Sequence, residues 1–138
     1  MAGASQVVET ARLNWLKGTT YTAAPTTVYI ALFTTAPTDD AGTSAVEVSG
    51  GSYARASITT STGWSTISGA PSAPAQISNG STITFATPSA SWGTVLAIGI
   101  YDALTAGNLL YWTTITSQAI GSGVVASFAI GALIVTED

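Results

Sequence analysis

Hydrophobic residues along this chain keep two different periods. In SQVVETARLNWLK, residues 5–17, apolar Val8, Ala11, Trp15 and Leu16 recur at the three- and four-residue intervals that line one face of a helix. Ser5 is placed to accept from the free N–H groups of a first turn. Glu9 lies near the positive end, Lys17 near the negative end, and Gly18 suits the position just past the helix. The spacing predicts one helix over 5–17, and no other. Its apolar face either covers the end of a β core or anchors a neighbouring subunit. Trp15 speaks for the anchor, because tryptophan is enriched in interface cores.

After Gly18 the period becomes two. In TTVYIALFTT, Val28, Ile30 and Leu32 alternate with Tyr29, Ala31 and Phe33, and both sets are apolar. That is the pattern of a central strand covered on both faces. Further strands are expected near 44–49, 52–60, 81–86, 94–102, 108–115, 123–130 and 132–136. Turn-forming clusters separate most of them: GG at 50–51, GAPSAP at 69–74, SNGS at 78–81 and TPSASWG at 87–93. Eight short strands at this spacing predict an all-β, antiparallel sandwich of jelly-roll type over 26–136, behind one short N-terminal helix. No linker or repeat divides the chain, so residues 1–138 read as one domain.

Two stretches carry more than a strand pattern. In EVSGGSYARASIT, residues 47–59, an acid and a base flank Gly50-Gly51. Read as a hairpin, this places Glu47 and Arg55 near each other across the ladder, with Tyr53 on the face of Arg55. Exposed, such a pair is worth about 0–1 kcal/mol. Shielded at a junction, the guanidinium can bind a carboxylate or carbonyls through several donors at once. In IYDALTAGNLLYW, Asp102 and Gly107 suggest a hairpin with a five-residue loop, Asp102 accepting from backbone N–H groups and Gly107 supplying a positive φ.

Composition changes the picture in one direction. Charged residues are 7% of the chain, three basic and seven acidic, where about 25% is ordinary. Spread over the roughly 6,600 Å² surface of a 13.8 kDa monomer, ten charges leave polarity to serine and threonine. A surface this poor in charge, with mean hydropathy +0.42, suggests that part of it is covered by other subunits, as a closed homotrimer. A net charge of −4 argues against nucleic acid, which needs a clustered basic face. No apolar run approaches the ~18 residues of a membrane span, and MAGASQVVETARL lacks the pattern of a signal peptide.

Candidate chemistry is sparse. Histidine and cysteine are absent, which removes histidine-dependent triads, cysteine nucleophiles, Cys/His zinc sites and disulfides. Asp39 and Asp40 are adjacent but lack the spaced oxygen ligands of a calcium loop. No motif selects a pair of carboxylates for glycosidase chemistry. SGGS and GSG are not followed by the lysine of a phosphate loop, and no G-x-S-x-G elbow occurs. The expectation is no enzyme, no cofactor and no metal. Trp64, Trp92, Trp112, Tyr53, Tyr101 and Tyr111 could line a sugar platform, though such residues more often fill cores and interfaces.

The stretches VYIALFTTAPTDDAGTSAVEVSGGSYARASIT and ISNGSTITFATPSASWGTVLAIGIYDALTAGNLLYWTTIT resemble a family of small virion proteins of tailed bacteriophages and prophages, often labelled tail fibre proteins. The likeness runs from NWLKG at 14–18 nearly to the C-terminus. Its specific parts are EVSGG-Y-AR and GIYDA-x-x-x-GNLLYW, and the chain reads TAG where the loop often has a second glycine. The family is similar to jelly-roll capsid decoration proteins. The resemblance implies a capsid decoration, or cement, protein made in the host cytoplasm. It would sit on the outer capsid surface of the virion as a homotrimer, with itself and the major capsid protein as partners. The alternatives are a tail or fibre component with a receptor-binding role and a carbohydrate-binding module. Trp15, Glu47, Tyr53, Arg55, Asp102 and Trp112 are the structural or interface candidates, and the helix with Trp15 or the loop 36–43 is the expected contact surface.

Overall fold

Three strands organise the molecule. The computed structural model describes residues 3–20, 23–38, 43–69 and 73–137. β1 (Gly3–Ala4) leads into α1 (Gln6–Leu16), followed by β2 (Thr27–Thr35), β3 (Val46–Glu47), β4 (Ala56–Thr59), β5 (Ala75–Ser78) and β6 (Ile83–Thr84). β7 (Gly93–Tyr101), β8 (Leu109–Ile120), β9 (Ser127–Phe128) and β10 (Ile134–Glu137) complete the chain. β2, β7 and β8 form the middle of an antiparallel sheet of order β1-β8-β7-β2-β3, with β4 also on β2. The ladders β5–β10 and β6–β9 lie over one of its faces. This is an all-β sandwich with one short helix, as the alternation predicts.

The apolar run of β2 is explained by burial on both sides. Val28, Ile30 and Leu32 pack with Ile98 and Ile100 of β7 and with Ile83, Phe85, Trp92 and Val135 of the second layer. Ala31 and Phe33 point the other way, onto Ala97, Tyr101 and Leu109. Gly99 lies on this second face, where a Cβ would come within 2.7 Å of Leu109 and 2.8 Å of the Phe33 ring. The glycine makes room for the phenylalanine. An irregularity opposite Ile100 and Tyr101 inserts Leu110 into β8, so Leu110 and Tyr111 both pack with the first cluster.

Several expectations need correction. Ser5 does not cap the helix with its side chain. It is fully buried, and its hydroxyl donates to the Leu109 carbonyl, fixing the helix to β8 instead. The helical face is real only at its start. Val8 is buried, but Trp15 is 62% and Leu16 77% exposed. β8 runs to Ile120, past the expected end at 115, and β1 and β5 were not foreseen. Asp39 and Asp40, with the rest of 39–42 in the loop tip 36–43, and part of GAPSAP lie outside the described residues.

The 47–55 hairpin is also replaced by something else. β3 and β4 do not pair with each other. Both pair with the same edge of β2, Glu47 opposite Phe33 and Ala56 opposite Ile30. The chain leaves that edge after Val48, whose N–H donates to the Leu32 carbonyl, and rejoins it at Ala56. Gly50, Gly51 and Ser52 all have positive φ, 73°, 54° and 64°, which tightens the excursion into a left-handed turn. The Gly51 carbonyl accepts from Trp92 Nε1 at 3.0 Å and from the Ser89 N–H.

Candidate functional site

The excursion builds a dense polar constellation. Where the chain leaves β2, the Leu32 N–H loses its ladder partner, and the Tyr53 hydroxyl takes that place at 2.9 Å. The same hydroxyl donates to Glu47 Oε1 at 2.9 Å. Arg55 then grips Glu47 side-on, Nε to Oε1 at 2.8 Å and Nη2 to Oε2 at 2.7 Å. Its Nη1 reaches the carbonyls of Ala103 and Ala106, each at 2.8 Å, so four of its five N–H groups are engaged. The guanidinium lies 3.6 Å from the centre of the Tyr101 ring. Only 7% of the Arg55 side chain is exposed.

The carbonyls that Arg55 binds belong to the β7–β8 loop. Asp102 shapes that loop by accepting from the Asn108 backbone N–H and side-chain amide, both at 2.7 Å, while Ala106 and Gly107 take positive φ. Thus EVSGG-Y-AR and GIYDA-x-x-x-GN, far apart in the chain, meet at one guanidinium. Burial raises the Tyr53 hydroxyl well above the usual tyrosine value, and burial raises Tyr101 as well. Burial is the largest single influence on Arg55 and opposes its charge. The hydrogen bond to Glu47 and the Glu47 charge, with smaller contributions from Tyr101 and Tyr53, together outweigh it, so its pKa lies above the ordinary value.

A second cluster of the same residue types was not anticipated. Arg12 of α1 donates to Glu137 of β10 and to the Tyr111 hydroxyl of β8, and that hydroxyl also donates to Glu137. Burial, then the Glu137 bond, pushes the Tyr111 hydroxyl up to about 12. Asn79 is another unanticipated hub. It is buried, and its side chain binds the carbonyls of Ser81 and Ala129 and the Leu133 N–H. In sequence SNGS signals only a turn. The scarcity of cations is the one cue that could have singled out Arg12.

The remaining candidates stand apart. Trp15 is exposed at the end of the helix. Trp112 packs on the second face of the sheet, and its buried Nε1–H has no hydrogen-bond partner among the described residues. The six aromatics form no common platform: Tyr53, Trp64, Trp92 and Tyr111 belong to one face of the sheet, Tyr101 and Trp112 to the other. Among the described residues no three acidic side chains gather to hold a metal ion.

The motifs that converge on Arg55 are the specific parts of the phage resemblance, and the comparison with family models agrees. A model described as podophage GP4 fiber I protein gp80 matches residues 3–136. The chain belongs to that family. No curated protein matches it. As a member of a podophage fibre family it is a structural protein of the bacteriophage virion. The Arg55 clasp therefore sits in the scaffold of a virion component.

Proposed function

We propose that this chain is a non-catalytic building block of the virion, a rigid knob that joins copies of itself into a fibre-type appendage. The observation that carries the non-catalytic reading is the saturation of the clasp. Both Glu47 oxygens, the Tyr53 hydroxyl and four Arg55 donors are spent on partners within the chain. Groups tied down in this way serve as structural partners rather than as a nucleophile or a base held free for substrate. What it does is hold the 48–55 excursion and the 103–106 loop in one shape. The word fiber in the family description supports the appendage.

The compact sandwich favours a second reading. A small β-sandwich also suits a cement protein, a jelly-roll trimer on the outer capsid surface bound to the major capsid protein. A protein that binds the intact shell but not the disrupted one stabilises it by RT ln(1 + [L]/Kd), about 2.7 kcal/mol per site at a hundredfold excess over Kd. Particles made with and without the chain separate the two. For a fibre, the virion holds a few to tens of copies, and removal abolishes adsorption while heads release DNA at the same temperature. Hundreds of copies and a lower release temperature, in low and high salt alike, would move the assignment to the capsid. Normal adsorption together with unchanged release would refute both.

A further inference from the structure

The end of α1 carries an apolar tip with no seat in its own chain. Leu13, Trp15 and Leu16 are all exposed in the last turn, although Trp15 continues the face that begins at buried Val8. A second feature lacks an occupant. Between the main sheet and the β5–β10 ladder an apolar cleft of about 280 Å³ opens, with Val28, Ile77, Ile100, Leu110 and Val135 among its walls and Ile67 on its exposed margin. This is just below the roughly 300–1,000 Å³ of ligand pockets, a size for a side chain or two rather than a large ligand. We propose that the helix end of one copy, led by Trp15 and Leu16, seats in this cleft of a second copy. The proposal rests on the reading of the chain as a self-assembling subunit, and it is independent of where on the virion the assembly sits.

Charge argues for a second copy as occupant. Lys17 follows the tip directly and has no carboxylate partner among the described residues. Glu137 lines the cleft and uses only Oε1 for Arg12 and Tyr111, leaving Oε2 for an incoming cation. Tip into cleft is a heterologous contact, so it closes into a ring or continues as a filament.

The absence of cysteine makes a direct test clean. Leu16→Cys and Ile67→Cys are prepared separately, mixed at micromolar concentration and oxidised, with Val124→Cys, also exposed, as control. The expected result is a mixed disulfide between the first two variants, well above any pairing with the control. In light scattering, Trp15→Ala/Leu16→Ala should weaken association on the order of tenfold or more with an unchanged melting curve. Lys17→Glu should weaken it less, by a margin that shrinks in high salt. Leu16→Cys linking to itself would mean tip-on-tip packing and would overturn the proposal. A monomeric wild type that gives no mixed disulfide would also overturn it. Virion adsorption and DNA release are measured separately, so failure of this contact is distinguishable from failure of the fibre assignment.

Discussion

The chain builds the combination of arginine, tyrosine and glutamate twice, and the two versions differ in closure. Around Arg55 the guanidinium is 7% exposed, holds its carboxylate through two bonds, binds two loop carbonyls and covers a ring. Around Arg12 the side chains of arginine and glutamate are 41% and 35% exposed, and a single nitrogen, Nη2, serves both partners. The first joins an interrupted sheet edge to a hairpin loop. The second ties the helix to the last strand. Water can replace the bonds of the open cluster at little cost, while the closed one would leave its groups stranded. Residue types alone do not set the strength of an ion pair; enclosure does.

The largest expected effect breaks the closed cluster. Arg55→Ala should cost about 2–4 kcal/mol in denaturant unfolding, because Glu47 and two loop carbonyls lose their donors together. Arg55→Lys should recover only part of this, since an ammonium cannot reproduce the side-on fork. A loss below about 1 kcal/mol would place Arg55 with ordinary surface pairs. Next comes Tyr53→Phe, expected at about 1–2 kcal/mol because the Leu32 N–H is left without its acceptor. Arg12→Ala should cost less than about 1 kcal/mol. That smaller effect should fade in 1 M salt, where the Debye length is about 3 Å, while the Arg55 effect persists.

Alkaline pH gives a further separation, with no effect at neutrality. In the unfolded chain tyrosine loses its proton near pH 10, whereas Tyr111 holds its proton to about 12 and Tyr53 is raised as well. Below pH 10 both states are protonated and this contribution is complete. Above it the unfolded chain binds fewer protons than the folded one, so stability falls as pH rises toward the folded values. Melting temperatures should therefore hold level to about pH 9 and drop between 10 and 12. Tyr111→Phe should remove its share of that drop, leaving the remainder to Tyr53 and Tyr101. An identical pH profile in Tyr111→Phe and wild type would show that the open cluster does not retain the proton.

Much of the sandwich was legible because alternation is a local property. The double-sided pattern of β2, the Asp102–Gly107 loop and the helix with Gly18 beyond its end follow from spacing and from which residues tolerate positive φ. The excursion at 48–55 was not legible. Strand–Gly-Gly–strand has the local signature of a hairpin, and nothing in those residues shows that both flanks find the same edge of β2. Nor does the helix period reveal how far the support beneath it extends. Trp15 obeys the face of Val8 and is nonetheless exposed.

By itself, then, the sequence determined the class of object: a charge-poor, histidine-free and cysteine-free β protein, with a rare acid and base placed around one glycine turn. Tertiary structure decided which charges are enclosed. Arg55 meets the carbonyls of Ala103 and Ala106, and Arg12 meets Glu137, 125 positions away. The physical reason is one of range. Periodicity, turn preference and helix termination act over a few residues, whereas burial of a charge depends on every segment that the fold brings around it.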